Sequence, residues 1–282
     1  MTKLNFGIIG HNISYSQSPK IFNSIFTCRQ IEGEFTVYDF PEKEFDKHLP
    51  LLRELNGFSV TIPFKEKMLE YSDEISDSAR TIQAVNSVKV ENSRFVGFNT
   101  DGDGFIYGLK RLILDKELQN ILIIGYGGAA RAIICALIKN FKIESITVCG
   151  RKNLDSDKLL NRYFSYVGLE LKILYSVVTQ LNRSVEYDLI VNCSPCGDIN
   201  HRNEFPLPED FEFNGCGICY DLIYIPARTL LLSKAAESGW QVVNGYPMLV
   251  RQAVESYKIW SGDDISVDKF TQDLLLTQEE QV

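Results

Sequence analysis

The sequence predicts an α/β protein of two domains, one built around a doubly wound parallel sheet and a smaller one completed by the last helices of the chain. Three observations carry this expectation. Short apolar runs alternate with helical patterns from residue 4 to about 100, and the alternation restarts at Asn120, which implies parallel strands joined by right-handed crossovers. A glycine turn, Gly125-Tyr126-Gly127-Gly128-Ala129, separates an apolar run from a helical pattern, the context that a dinucleotide-binding turn requires. A length of 282 residues gives each of two domains enough chain to bury its own core. The expected boundaries are 1–102 with 247–282 for the smaller domain and 103–246 for the doubly wound one.

In the first domain, runs at 4–9, 35–40 and 58–62 read as strands, and stretches at 18–28, 42–55 and 65–71 as helices. Runs at 85–90 and 94–98 flank Glu91-Asn92-Ser93 and read as a hairpin, which gives this domain an antiparallel edge. A helix at 103–114 leads into the second domain. There, strands are expected at 121–124, 145–149, 169–173, 188–192, 217–222 and 241–243, with helices at 129–140, 155–166 and 227–238. Six strands with a glycine turn after the first is the count of a Rossmann-like domain. The tail reads as two helices, 248–261 and 267–276, expected to pack back on the first domain.

A net charge of -8 without a basic block argues against nucleic acid or an anionic membrane surface as partner. The opening Met1-Thr2-Lys3-Leu4-Asn5 has no apolar signal region, and no apolar stretch reaches the length of a membrane span. A cytoplasmic location is expected. Four of the seven cysteines fall as Cys193-x-x-Cys196 and Cys216-x-x-Cys219, a spacing that fits a structural zinc site. The second pair, however, enters a run that reads as a buried strand, where positions three apart face opposite ways. Free thiols and no metal are therefore expected.

The glycine turn alone also fits a plain strand-to-helix connection. After the second strand of this domain stand Cys149-Gly150-Arg151-Lys152, where an enzyme using NAD usually places a carboxylate for the ribose 2′-hydroxyl. A guanidinium suits a 2′-phosphate instead, so NADP is favoured, although two cations at a strand end also fit a solvated turn. Near the N-terminus, Ser16 and Ser18 bracket a helix start where hydroxyls and free N–H groups can hold a carboxylate. Ser18 as N-cap with Pro19 at the first helical position is the plainer reading of the same residues.

Several motifs recur in order over nearly the whole length. They are Ser16-Gln17-Ser18-Pro19, Val60-Thr61-Ile62-Pro63-Phe64-Lys65, Ala84-Val85-Asn86 and Gly97-Phe98-Asn99-Thr100-Asp101, followed by the glycine turn. Beyond it come Asn192 to Gly197, Asp221 to Pro226, Thr229-Leu230-Leu231 and Met248 to Ala253. In these the chain resembles the shikimate dehydrogenases, NADP enzymes that reduce 3-dehydroshikimate. The resemblance implies a catalytic pair at Lys65 and Asp101 and substrate contacts at Ser16, Ser18, Thr61, Asn86, Tyr224 and Gln252. It implies cofactor contacts at Gly125, Tyr126, Gly127, Gly128 and Ala129, at Gly150, Arg151 and Lys152, at Leu222 and Gly245, and more weakly at Asp77.

The chain departs from the family pattern at Asn12 for proline, Tyr15 for histidine, Ser59 for asparagine, Gly150 for asparagine and Pro247 for glycine. Tyr15 and Ser59 adjoin substrate positions, so a quinate/shikimate or aminoshikimate dehydrogenase is the alternative within the superfamily. A non-catalytic nucleotide-binding module is the alternative outside it. The implied enzyme binds substrate on the first domain and NADP on the second, with a cleft between them, and acts as a monomer or homodimer.

Overall fold

The computed structural model describes residues 3–113, 117–152, 172–182 and 185–279. The chain divides into two compact units, Met1–Gly104 with Leu249–Val282, and Phe105–Met248. Both boundaries fall inside helices, Asp101–Ile113 and Tyr246–Ser261.

The first unit is a six-stranded mixed sheet. Its inner strand β1 (Leu4–Gly10) pairs in parallel with β2 (Gly33–Asp39) and β3 (Gly57–Val60). Then β3 pairs antiparallel with β5 (Ser87–Glu91), β5 with β6 (Arg94–Phe98), and the edge strand β4 (Glu74–Ile75) runs parallel to β6. The hairpin turn places Asn92 and Ser93 at φ of 51° and 60°, the two left-handed positions that match the twist of the strands. Two antiparallel steps bring β6 back to the direction of β3. The C-terminal ends of β1, β3 and β6 and the N-terminal end of β5 therefore share one edge of the sheet.

Helix Tyr246–Ser261 contributes Trp260 to this unit's core. Its ring stacks on Phe22 at 5.4 Å and tilts against Phe6 at 5.0 Å. Its indole N–H donates to Ser87 Oγ at 3.0 Å, so the buried polar atom is satisfied. A second cluster around Phe45, Phe58, Phe64 and Phe95 fills another part of the unit.

In the second unit six parallel strands take the order β12-β11-β10-β7-β8-β9. These are β7 (Asn120–Ile124), β8 (Ser145–Gly150), β9 (Lys172–Val177), β10 (Leu189–Asn192), β11 (Ile218–Asp221) and β12 (Gln241–Val243). Read outward from β7, this is the doubly wound order of a Rossmann-like sheet. The strand order reverses between β7 and β10, and their carboxyl ends mark the switch point where such folds bind ligands. Ile121, Ile123, Ile146, Val148, Leu189 and Val191 are fully buried on the sheet, which explains their near-continuous apolar runs.

Several elements differ from the sequence expectation. The stretch 42–55 divides into a 3-10 turn, Glu42–Glu44, and a helix, Phe45–Leu52. Strand β4 and helix Asp77–Ile82 were not anticipated, because two and six residues are too short to show a period. Strand β9, a half-exposed edge strand, runs to Val177, past the expected end at 173, while residues 169–171 of that expectation lie outside the described residues. The helix expected at 155–166 lies outside the described residues. No described helix is long and apolar enough to cross a membrane.

Candidate active site

The common edge of the first sheet positions the chemistry. Lys65 is the second residue of helix Phe64–Tyr71, which follows β3, and its carbonyl accepts from the Val85 N–H at 2.8 Å. Asp101 opens helix Asp101–Ile113 after β6. Asn99 fixes that start: its side chain donates to Ala84 O at 2.9 Å and accepts from the Asp101 N–H at 3.1 Å. The two ends meet with Lys65 Nζ 2.5 Å from Asp101 Oδ2, the lysine side chain 16% exposed and the aspartate 2%.

Asn86 ties this pair to its surroundings. Its Nδ2 lies 2.7 Å from Asp101 Oδ1, 3.1 Å from Thr100 Oγ1 and 3.2 Å from Gln252 Oε1. Its Oδ1 accepts from the Thr100 N–H at 2.8 Å. An amide has two N–H donors, so three acceptors around one Nδ2 are shared, and a ligand hydroxyl arriving there finds groups already oriented. Thr100 and Asn99 carry this arrangement without having been assigned a role from sequence, although both stand in the motif that ends at Asp101.

Ser16, Ser18 and Thr61 follow β1 and β3 on the same edge. Ser18 is the first helical residue, buried, and its N–H donates to Ser16 Oγ at 3.3 Å. The cap residue is Gln17, without a side-chain cap bond, so the reading of Ser18 as N-cap is corrected by one position. Asn12 holds φ of 58° and donates its N–H to Asp39 Oδ1 at 2.8 Å. Proline, locked at negative φ and lacking an N–H, could do neither. Asp77 lies on this unit, exposed at the start of its helix, where a carboxylate also complements the helix dipole.

In the second unit, Gly125 leaves β7 at φ of 104°. A Cβ there would lie 3.2 Å from the Cys193 carbonyl carbon and oxygen, so the turn and the loop after β10 touch at the switch point. Helix Gly128–Asn140 starts from Gly127 without a side-chain cap. Beyond its own stretch of chain, no described atom lies within 4 Å of where a Gly127 Cβ would stand. Uncapped N–H groups at an open glycine turn fit a pyrophosphate. Buried Arg131, also unassigned from sequence, aims Nη1 at the Tyr126 carbonyl at 3.4 Å.

Leu222 and Gly245 are brought together: a Cβ on Gly245 would fall 1.9 Å from the Leu222 carbonyl oxygen, so this approach admits only glycine. Gly150 likewise leaves room for Tyr126, whose ring carbon would lie 2.8 Å from a Cβ at that position. Arg151 is 73% exposed, with Nη1 3.6 Å from Glu204 Oε2. The Lys152 carbonyl accepts from the Tyr175 hydroxyl at 2.6 Å. Tyr224 is half-buried, three residues beyond β11.

Behind this surface lies a buried polar core. Asp221 accepts from Thr229 Oγ1 at 2.6 Å, Asn192 Nδ2 at 3.0 Å and the Ile223 N–H at 3.1 Å. Burial pushes its carboxyl up to about 6, against the lowering effect of these donors. Cys219 is buried within β11 and Cys216 exposed before it. Burial, with Glu204 close by, pushes the Cys196 thiol up to about 12. Among the described residues no group of three or more histidine, cysteine, aspartate and glutamate side chains is arranged to hold a metal.

The family model for the shikimate dehydrogenase substrate binding domain matches residues 8–88. The chain is 31% identical over 273 residues to the NADP-dependent shikimate dehydrogenase of Bacillus subtilis, covering 95% of both chains. With that of Nitrosopumilus maritimus it shares 34% over 261 residues, covering 91% of this chain and 93% of the other. Among solved structures, shikimate dehydrogenase 1 from Peptoclostridium difficile superposes with a TM-score of 0.84 at 28% identity, over 97% of this chain and 98% of that one. The Thermus thermophilus enzyme in complex with NADP(H) and shikimate gives 0.80 at 27%, over 96% and 99%. A 5-ketofructose reductase of Gluconobacter, 23% identical, shares the fold. With relatives this similar over nearly their whole length, the chain belongs to the shikimate dehydrogenase family.

Proposed function

We propose that this chain catalyses the reversible, NADP-dependent reduction of 3-dehydroshikimate to shikimate. The observation that carries the reading is the Lys65 Nζ to Asp101 Oδ2 contact of 2.5 Å, held in a buried network with Asn86 and Gln252. NADP supplies or accepts the hydride. Lys65 gives a proton from Nζ to the oxygen of the ketone being reduced and takes it back in the reverse direction. Asp101 holds the ammonium on its line of approach. Asn86, Gln252 and Thr61 orient ring hydroxyls, and Ser16 and Ser18 hold the substrate carboxylate.

On the second unit, the N–H groups at Gly127 to Ala129 receive the pyrophosphate and Arg151, with Lys152, the 2′-phosphate. Leu222, Gly245, Tyr126 and Gly150 shape the wall of that site. The same reading makes the protein a cytoplasmic enzyme, in keeping with seven free cysteines, and a monomer or homodimer. The test follows NADPH absorbance with shikimate and quinate, each offered with NADP and with NAD. The highest kcat/KM is expected for shikimate with NADP. A higher value for quinate overturns the substrate, and no turnover in any combination leaves a non-catalytic nucleotide-binding module.

A further inference from the structure

The loop after β10 delivers a carboxylate to the cation expected to choose the cofactor. It is rooted in buried Asn192, whose Oδ1 accepts from Ser194 Oγ at 2.7 Å and whose Nδ2 donates to Cys196 O at 3.1 Å. Asp198 then caps the following turn, its Oδ1 accepting from the N–H groups of Asn200 at 2.8 Å and His201 at 2.9 Å. The Glu204 N–H closes on His201 O at 2.9 Å. The carboxylate so placed has two partners on one oxygen: Cys196 Sγ donates to Oε2 at 3.5 Å and Arg151 Nη1 stands 3.6 Å from it.

Opposite charges at this distance attract, and a like charge brought to the same guanidinium is repelled. A ribose 2′-phosphate bound by Arg151 has to share that guanidinium with Glu204, whereas a ribose hydroxyl brings no charge. We propose that Glu204 is a specificity-determining residue of the cofactor site, lowering the preference for a 2′-phosphorylated dinucleotide below what Arg151 alone would give. The inference rests on the proposed role of Arg151. Glu204 repels the phosphate, and with NAD it remains a counter-charge to the guanidinium beside a neutral ribose.

The test is Glu204→Gln, which keeps an acceptor for the Cys196 thiol and removes the charge. Its kcat/KM for NADP should rise by about 3- to 10-fold at low salt, the scale of one exposed ion pair, with NAD changed by less than about 2-fold. The gain should shrink as ionic strength rises. Arg151→Ala separates the two readings, because it should lower kcat/KM for NADP and leave NAD almost unchanged. If Arg151→Ala lowers both cofactors equally, the role of Arg151 fails and the inference with it. If Arg151→Ala is selective but Glu204→Gln shifts both cofactors equally, or lowers NADP, the inference alone is overturned.

Discussion

Asp101 is 2% exposed and has both carboxylate oxygens engaged, one by Lys65 and the other by Asn86, whereas Arg151 is 73% exposed and stands 3.6 Å from the Glu204 carboxylate. The first arrangement is fixed before any ligand arrives, since buried hydrogen bonds lock each group through its neighbours and charge acts strongly where water is scarce. The second can be repositioned at little cost and is screened by salt. The difference teaches where each task can be placed: proton transfer needs set geometry, while the choice between cofactors needs only a local balance of charge. Changes in the buried cluster should therefore strike the rate, and changes at the exposed edge should tune a preference.

The largest effect is expected from Lys65→Ala. Loss of the proton donor should lower kcat by roughly 10²-fold or more, with a smaller change in KM for shikimate. A variant with near-normal kcat and only a raised KM would move Lys65 into binding and erase the contrast with Arg151.

A second buried carboxylate sharpens the comparison. Asp221 has three hydrogen-bond donors and, among the described residues, no ion pair with a cation, and burial pushes its carboxyl up to about 6. Its folded-state pKa thus exceeds the unfolded value of about 3.9, so the folded protein binds this proton more tightly. Stability from this group is complete below about pH 4, falls as pH rises toward 6 and is level above that, a total of about 3 kcal/mol at ~1.4 kcal/mol per unit. Thermal melts of wild type and Asp221→Asn across this window should show the wild type losing ground to the variant as pH rises. A pH-independent difference would mean that Asp221 stays ionised in the fold.

The smallest expected effect belongs to Tyr15, half-buried beside Ser16. Tyr15→His should shift the ratio of kcat/KM for shikimate over quinate by roughly 5-fold, the worth of about 1 kcal/mol for one polar partner. An unchanged ratio removes Tyr15 from substrate choice.

Most of this architecture was legible because it rests on periods and turns. The runs of β1, β7 and β10 are long enough to show burial, and Asn92 and Ser93 announce a hairpin. The elements missed are those without a period: β4 and helix Asp77–Ile82. In the candidate site, residue types and motifs pointed to Lys65 and Asp101. The resemblance also put Asn86 and Gln252 among the substrate contacts, but gave no sign of the hydrogen bonds by which Asn86 joins Asp101, Thr100 and Gln252, the last 166 positions away along the chain. Gly150 stands where the family pattern has asparagine, and the space a side chain would fill is taken by the Tyr126 ring. Glu204 had no signal at all, because a lone glutamate in a loop is silent until the loop's turns are known.

The central claim is that Lys65 and Asp101 work as one unit, and a double-mutant cycle on kcat tests it most directly. Lys65→Ala, Asp101→Asn and the double variant are compared with wild type at saturating shikimate and NADP, with melting curves to confirm that each is folded. Residues acting as a unit are strongly non-additive, so the double variant should be no slower than the slower single variant, within about 3-fold. If the two losses multiply, each residue acts alone, and the proton-transfer role assigned to the pair is contradicted.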